Sequence, residues 1–579
     1  MRKEDELTRR AKYNLVNFTT QSGFDVKPEY GPEDIKALDY QRDLGDVGQF
    51  PFTRATHNNL YRNMRWLTEV IGMPLKHPTE RVTKKWRHMQ QMFNWFEEHP
   101  EWEESEMLFD AFHTPMYYHA CDAAEEAGVD PDHPLGKAEI GYAGNPHYCL
   151  RNLEEEIGAN SLEGLYLSTL SAPSQACTPN YAMYVALCEK RGFPLGEMRG
   201  FGVNDGLHTH IIRWCNNQPL DVTFKLSTDT MEFSAKNTPK YYPVCPNMYD
   251  MRETGITVVQ EAALSLCERM AFIDEVIRRG IKFEEIAHRI NLSFSGEIDF
   301  FETICKIRAA RRMWARIARE KYGCTDPKYM RPATGINMAG SAMTAQQPIN
   351  NITRIALISM ACVLAGVRSI QPKCFMEPLP LPWDERTFLP SGNAQHIIYH
   401  ETGAALVADP LGGSYYVEWL TNKIEEEVTN YMKKIEQRGG IIECIRSGWI
   451  QGEVEKETLA RQRELEEGKR IKVGVNAFQM PPELDIPMPT RTFEEHEKYQ
   501  EEILQEIREI KETRDVSRTR ETLLKLRYAA KEGENVIRPM VEAFKGDATR
   551  GEVIGMVREG MGHSYDSFNM VERPAFLNP

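Results

Sequence analysis

GLYLSTLSA (164–172), a short run of β-formers and small residues, leads into NYAMYVALCEKRG (180–192), a segment of helical character. The same succession recurs where YYPVCPN (241–247) precedes VVQEAALSLCERMAFIDEVIRRG (258–280). Alternating strands and helices predict a parallel sheet, because a parallel neighbour is reached only through a crossover connection. The alternation runs from 51 to 405, a length that suits a TIM (β/α)8 barrel better than a doubly wound sheet, and the fold class is α/β. On the N-terminal side, residues 1–50 carry turn signals at GFDVKPEYGPED (23–34) and are predicted to form an arm leading into the barrel. On the other side, 406–579 becomes charged and helical, as in EEHEKYQEEILQEIREIKETRD (494–515), with the Pro-rich PPELDIPMPTR (481–491) as a linker. A charge run of this kind is a solvated helix face or a surface for partner-subunit contacts. IALISMACVLAG (355–366) is apolar nearly all round, which predicts a buried helix.

A chain of 579 residues exceeds one ordinary core, so two to four domains or one barrel with additions are expected. Hydrophobic content of 41% with 10% aromatics belongs to a folded protein. Mean hydropathy of -0.51, with no apolar run near eighteen residues, predicts no membrane-spanning helix. The opening MRKEDELTRR is charged with no apolar segment behind it, so no secretory signal is read and a cytoplasmic location is expected. Twelve Cys without a C-x-x-C pair or a Cys/His cluster at ligand spacing predict reduced core thiols and no metal site. A net charge of -15 argues against a broad nucleic-acid surface.

TGINMAGSAMTAQQPINN (334–351) contains no charged residue, in a chain where 27% of residues are charged. It reads either as a loop of turn formers or as a surface kept small and uncharged so that a large, flat ligand can lie on it. The P-loop, G-x-G-x-x-G, G-x-S-x-G and H-E-x-x-H motifs are absent. Chemistry must then come from a cofactor or from an unlisted constellation.

Two further segments, QFPFTRATH (49–57) and ADPLGGSYYVEWLTN (408–422), are distinctive. With GPED (31–34), SAKNTPK (234–240) and TAQQPINN (344–351), taken in order, the chain resembles the large, catalytic subunit of the adenosylcobalamin-dependent acyl-CoA mutases, the methylmalonyl-CoA mutase family. The resemblance implies a TIM barrel threaded by acyl-CoA, cobalamin across the barrel mouth, and a radical 1,2-rearrangement that moves the thioester group. It makes 334–351 a corrin-facing loop and places Gly335, Asn337, Gly340, Arg368 and Glu377 at cobalamin contacts. The family's D-x-H-x-x-G motif, which presents a His to cobalt, is missing, and its nearest approach, DPDHPLG (130–136), reads as a turn. The cobalt-ligating His is therefore expected on a separate small subunit that shares the adenosylcobalamin, giving a hetero-oligomer.

By the same resemblance, Thr53, Arg54, His57 and Arg289 fall at CoA contacts, and Arg65 is a further candidate. In GVNDGLHTHIIRW (202–214), Val203 is a substrate contact and Arg213 aligns with the Arg that binds a free carboxylate of the substrate. Arg213 favours a branched dicarboxylic acyl-CoA, of the alkyl- or arylmalonyl-CoA to succinyl-CoA type. Two departures bear on the acyl group. An aromatic wall of the family becomes Val70 or Ile71, which releases room for a bulkier group. The family's Tyr-His pair becomes Tyr249-Asp250, and an ionised Asp cannot donate. Asp250 is then either protonated through burial or the acceptor for a substrate donor, with His208 or His210 in the donor role. The alternatives are a 2-hydroxyisobutyryl-CoA-type or other branched monocarboxylic acyl-CoA mutase, for which Ala111 lacks an expected Asp although Asp110 adjoins it, and a catalytically silent binding or structural paralogue.

Overall fold

The computed structural model of the protein describes residues 18–62, 65–68, 116–136, 140, 144, 146–212, 217–376, 385–485 and 494–578. Eight strands run through it in chain order: β1 (Leu67–Thr68), β2 (Met116–His119), β3 (Tyr166–Thr169), β4 (Gly200–Phe201), β5 (Tyr241–Tyr242), β6 (Leu292–Gly296), β7 (Thr334–Met338) and β8 (Ser369–Gln371). Helices separate them: α1 (Leu150–Ile157), α2 (Ser174–Lys190), α3 (Leu220–Asn237), α4 (Val258–Arg278), α5 (Phe300–Glu320) and α6 (Asn350–Leu364), with α7 (Glu385–His400) after β8. Every strand pairing is parallel. β2 lies beside β3, β4 beside β5, and β6, β7, β8 and β1 follow one another. Single parallel bridges at Tyr166–Arg199 and Thr169–Gly202 carry the ladder from β3 to β4, and bridges at Val244–Ile290 and Asn247–Ser293 carry it from the end of β5 to β6. The order is thus 2-3-4-5-6-7-8-1. The expected alternation and strand direction are present, while a β1–β2 pairing that would close the barrel is not seen among the described residues.

Register explains which side of this ladder is core. Ser293, Gly335 and Ser369 stand opposite one another, as do Ser295, Asn337 and Gln371. Side chains alternate across a strand, so these small and polar residues share the inner face. The outer face carries Leu292, Phe294, Ile336, Met338 and Ile370, all fully buried against the helices. Among those helices α4 is fixed at its start by a capping box, in which Thr257 Oγ1 accepts from Gln260 N and Gln260 Oε1 accepts from Thr257 N. The α6 helix is less enclosed than its composition predicts. Ile355, Ile358, Ala361 and Cys362 face the core, but Leu357 is 48% exposed, because the helix presents only one face to the strands.

The segments outside the strand–helix repeat are packed onto it. Ser22 donates through N and Oγ to the Glu302 carboxylate at 2.9 and 3.1 Å, and the Tyr30 ring lies 5.0 Å from Tyr416 and 4.8 Å from Trp419. Beyond β8, α8 (Tyr415–Glu436) packs on α4 and α5. The helices α9 (Trp449–Glu466), α10 (Glu494–Thr513), α11 (Val516–Lys531), α12 (Ile537–Lys545) and α13 (Arg550–Gly560) follow, and α12 lies on α2. Arg550 at the start of α13 is fully buried and donates to the carbonyls of His147 and Ala176 and to Glu125. No helix among the described residues is long and apolar enough to cross a membrane.

Candidate functional site

The polar inner face surrounds a cavity of about 560 Å³, lined by Ser293, Gly335, Asn337, Ser369 and Gln371 from β6 to β8 and by Leu170, Phe201, Val203 and Cys245 from the other strands and their extensions. In a TIM barrel, branched aliphatic side chains ordinarily fill this space. Here Ser, Gly and Asn leave it open. Ser295 Oγ and Asn337 Oδ1 are buried without a hydrogen-bond partner among the described residues, so the wall holds unused polar capacity.

At the carboxyl ends of the strands, the short helix Met248–Glu253 brings Tyr249, Asp250 and Glu253 to the cavity, where Lys373, two residues beyond β8, joins them. Lys373 Nζ stands 4.4 Å from the centroid of the Tyr249 ring, a cation–π contact. Asp250 Oδ2 lies 3.1 Å from His208 Nε2 and accepts from Asn247 Nδ2 at 2.6 Å. Asp205, in turn, accepts from the backbone N of Leu207, His208 and Asn247, which sets the turn of Asn247 against that of His208. Burial opposes a charged His208, but the Asp250 and Asp205 carboxylates outweigh it and raise the imidazole pKa. Glu253 accepts from Ser341 N at 2.7 Å, and burial together with the neighbouring Glu297 raises its pKa to about 7. A Cβ at Gly340 would stand 3.3 Å from the Tyr249 hydroxyl and 3.5 Å from Glu253, so the backbone runs close to the mouth at this position.

The opposite end of the ladder is basic. Arg331 and Arg368 lead into β7 and β8, and burial, together with their charges, lowers the pKa of His57. Arg368 therefore stands at the entrance of β8, across the strand from Gln371 and Lys373 at its exit. Thr53 and Arg54 do not line the cavity. Thr53 is buried with Oγ1 on the Asp43 carbonyl, and Arg54 donates to Asp409 at 3.0 Å. Arg289 is enclosed as well, its guanidinium donating to Ser234, to the carbonyls of Thr238 and Tyr241, and to Glu285 O. His210 turns away to Thr223 Oγ1 at 2.9 Å, whereas His208 stays beside Asp250. Arg65 lies against His396 at 3.2 Å and over the rings of Trp66 and Tyr399. Val203, Gly335, Asn337, Tyr249 and Asp250 are the expected residues that the cavity brings together. Val70, Ile71, Asp110, Ala111, Arg213 and Glu377 lie outside the described residues.

Sequence reading missed Glu253, Lys373, Asn247 and Gln371. A signal for part of this set was present, since NLSFSGE (291–297) and SIQPK (369–373) place small or polar residues at every second position of a strand. DPDHPLG forms the expected turn, with Gly136 N donating to His133 O and His133 itself buried beside Asp566 at 3.3 Å. The sequence spacing concealed one convergence, for the ligand atoms of His119, Cys121 and Glu125 lie within 4.8 Å of one another. Arg550 already neutralises Glu125 there at 2.7 Å.

Comparison with known proteins gives a consistent picture. The chain is 28% identical over 548 residues to the 2-hydroxyisobutanoyl-CoA mutase large subunit of Aquincola tertiaricarbonis, covering 94% of this chain and 92% of that protein. It is 27% identical over 551 residues to the methylmalonyl-CoA mutase of Rhizobium meliloti (strain 1021), covering 94% of this chain and 72% of the relative. The methylmalonyl-CoA mutase of Escherichia coli (strain K12) is 28% identical over 435 residues, 75% of this chain and 60% of its own length. The sequence profile of methylmalonyl-CoA mutase matches residues 115–563, and so the chain belongs to the methylmalonyl-CoA mutase family, a family of cobalamin-dependent isomerases.

Proposed function

We propose that this chain is the large, catalytic subunit of an adenosylcobalamin-dependent carbon-skeleton mutase, which rearranges a branched acyl-CoA threaded along the axis of its strands. The observation that carries the reading is the inner face of Ser293, Gly335, Asn337, Ser369 and Gln371, which leaves an elongated substrate a polar path. Its two ends suit the two ends of a CoA thioester. Arg331, Arg368 and His57 offer positive charge and a hydrogen-bonding ring to phosphates at the strand entrances. Tyr249, Asp250 and Lys373 meet the acyl end at the strand exits. We infer a closed (β/α)8 barrel over 51–405, with β2 meeting β1, an arm at 1–50 and a helical region at 406–579 that contacts a partner subunit.

The residues at the mouth fit a flat macrocycle. Gly340, the unpaired Asn337 amide oxygen and the uncharged run 334–351 would hold it, with Gly335 deeper in the wall. When bound, the cofactor supplies the radical that makes carbon-skeleton rearrangement accessible. The chain's own part is to bind and orient. The narrow axis fixes the thioester, and the Tyr249 ring, held under Lys373, walls the reacting end from water. That a relative is named as a large subunit supports a separate small subunit carrying D-x-H-x-x-G. A cytoplasmic setting accords with the free, mostly buried cysteines among the described residues.

The dicarboxylic acyl group expected from Arg213 rests on a residue outside the described set. The described cavity wall offers Glu126, Asp250 and Glu253 against Lys373, a balance that favours the 2-hydroxyisobutyryl-CoA-type alternative. Reconstitution with the small subunit and adenosylcobalamin, followed by mass spectrometry over a panel of acyl-CoA thioesters, tests the reading. Isomerised thioester is the expected result. Absence of both turnover and an electron paramagnetic resonance signal would favour the silent paralogue.

A further inference from the structure

We propose that Asp250 is the specificity-determining residue of the cavity and that it reads a hydroxyl group on the acyl moiety. The inference rests on the acyl-CoA reading above and deepens it.

Three observations carry the argument. Asp250 lines the cavity with its side chain 31% exposed, so it faces the ligand space while its base is enclosed. Oδ2 is fully engaged by His208 Nε2 at 3.1 Å and Asn247 Nδ2 at 2.6 Å, whereas Oδ1 has no hydrogen-bond partner among the described residues. His208 is completely buried and fixed from behind, its backbone N bound to Asp205 Oδ1 at 3.2 Å and its Nδ1 3.4 Å from the Asp205 carbonyl.

The chemistry follows from the placement of the two oxygens. With Oδ2 held by His208 Nε2 and the Asn247 amide, Oδ1 is the carboxylate acceptor left at the cavity. Oδ1 therefore needs a donor from the substrate. A thioester carbonyl and a second carboxylate have none to give, but a hydroxyl does. A methyl group in its place would leave Oδ1 desolvated and unpaired, which costs roughly tenfold to a hundredfold in affinity. His208 is the positioning residue in this arrangement, since it holds Oδ2 and so aims Oδ1.

Calorimetric titration of the full chain with 2-hydroxyisobutanoyl-CoA, pivaloyl-CoA and free CoA tests the proposal, because the two acyl groups differ only in hydroxyl against methyl. The wild-type chain should bind the hydroxylated thioester at least roughly tenfold more tightly. Asp250→Ala should erase the preference while free CoA still binds, and His208→Gln should reduce it. Equal affinity of the wild-type chain for both thioesters would overturn the role of Asp250 and leave the acyl-CoA reading standing, with no variant needed to decide it. Failure to bind either thioester or free CoA would remove both together.

Discussion

Two polar constellations occupy this chain, and they place their charged and polar groups differently. Around ADPLGGSYYVE, Asp409 sits at φ +50° and takes hydrogen bonds from Arg54 and Arg308, and Arg308 also reaches Glu418 at 2.6 Å, whose Oε1 receives Gly413 N. Arg308 is fully buried, and these two carboxylates keep its pKa raised against the cost of burial. Along the cavity, Asn337 and Glu253 each keep a buried polar atom without a partner among the described residues. The first region closes on itself through ion pairs between its own side chains, although Arg308 Nε and Glu418 Oε2 lack a partner among the described residues. The second leaves polar groups beside open space. Distinctive sequence alone does not separate a brace from a binding wall, but whether the polar groups meet one another or border a cavity does.

The strongest way to break this comparison is Arg308→Met, which strands the buried Asp409 and Glu418. It should cost about 3–5 kcal/mol of stability, read by denaturant unfolding. A loss below 1 kcal/mol would show that the brace is dispensable. Glu253 offers the next effect. A carboxyl whose folded pKa is about 7, above the ordinary 4.5, favours folding most below pH 4.5 and loses that contribution as pH rises through about 7. Thermal melts should therefore show Glu253→Gln gaining on the wild type between pH 5 and pH 8, by on the order of 3 kcal/mol. An identical pH slope in both proteins would mean that Glu253 is ordinarily ionised in the fold.

Gly335 sharpens the contrast from the cavity side. A Cβ there meets only Ser369 Oγ at 3.0 Å, so Gly335→Val adds bulk to the channel with little strain elsewhere. CoA-thioester affinity should drop by about 1–3 kcal/mol in calorimetry while the melting temperature stays close to wild type. Unchanged affinity would place the thioester elsewhere. The smallest effect is expected at Lys321, whose 2.6 Å pair with Asp274 is nearly half exposed at both ends. Lys321→Ala should shift stability by less than about 1 kcal/mol.

Legibility in the sequence followed physical locality. Strand–helix alternation is a local property, and GLYLSTLSA with NYAMYVALCEKRG became β3 and α2. The turn at DPDHPLG was equally readable, because its hydrogen bonds close within a few residues. What depends on long-range packing was not. The carbonyls of Thr238 and Tyr241 around Arg289, and the Asp409 that reaches Arg54 from 355 positions away, could not be read from the sequence beside either arginine. Glu253 and Lys373 carry no motif, and only the approach of the β5 and β8 exits brings them together.

The pairing of β1 with β8 has a temporal meaning. Leu67 and Ser369 face each other although about 300 positions separate them in the chain. During synthesis at ~5–20 residues per second, β1 therefore waits about 15–60 s on the ribosome before its partner has even been made. In that interval its backbone donors and acceptors form an unpaired edge, open to pairing with other nascent chains. Shielding that edge until translation has passed β8 would favour ordered assembly.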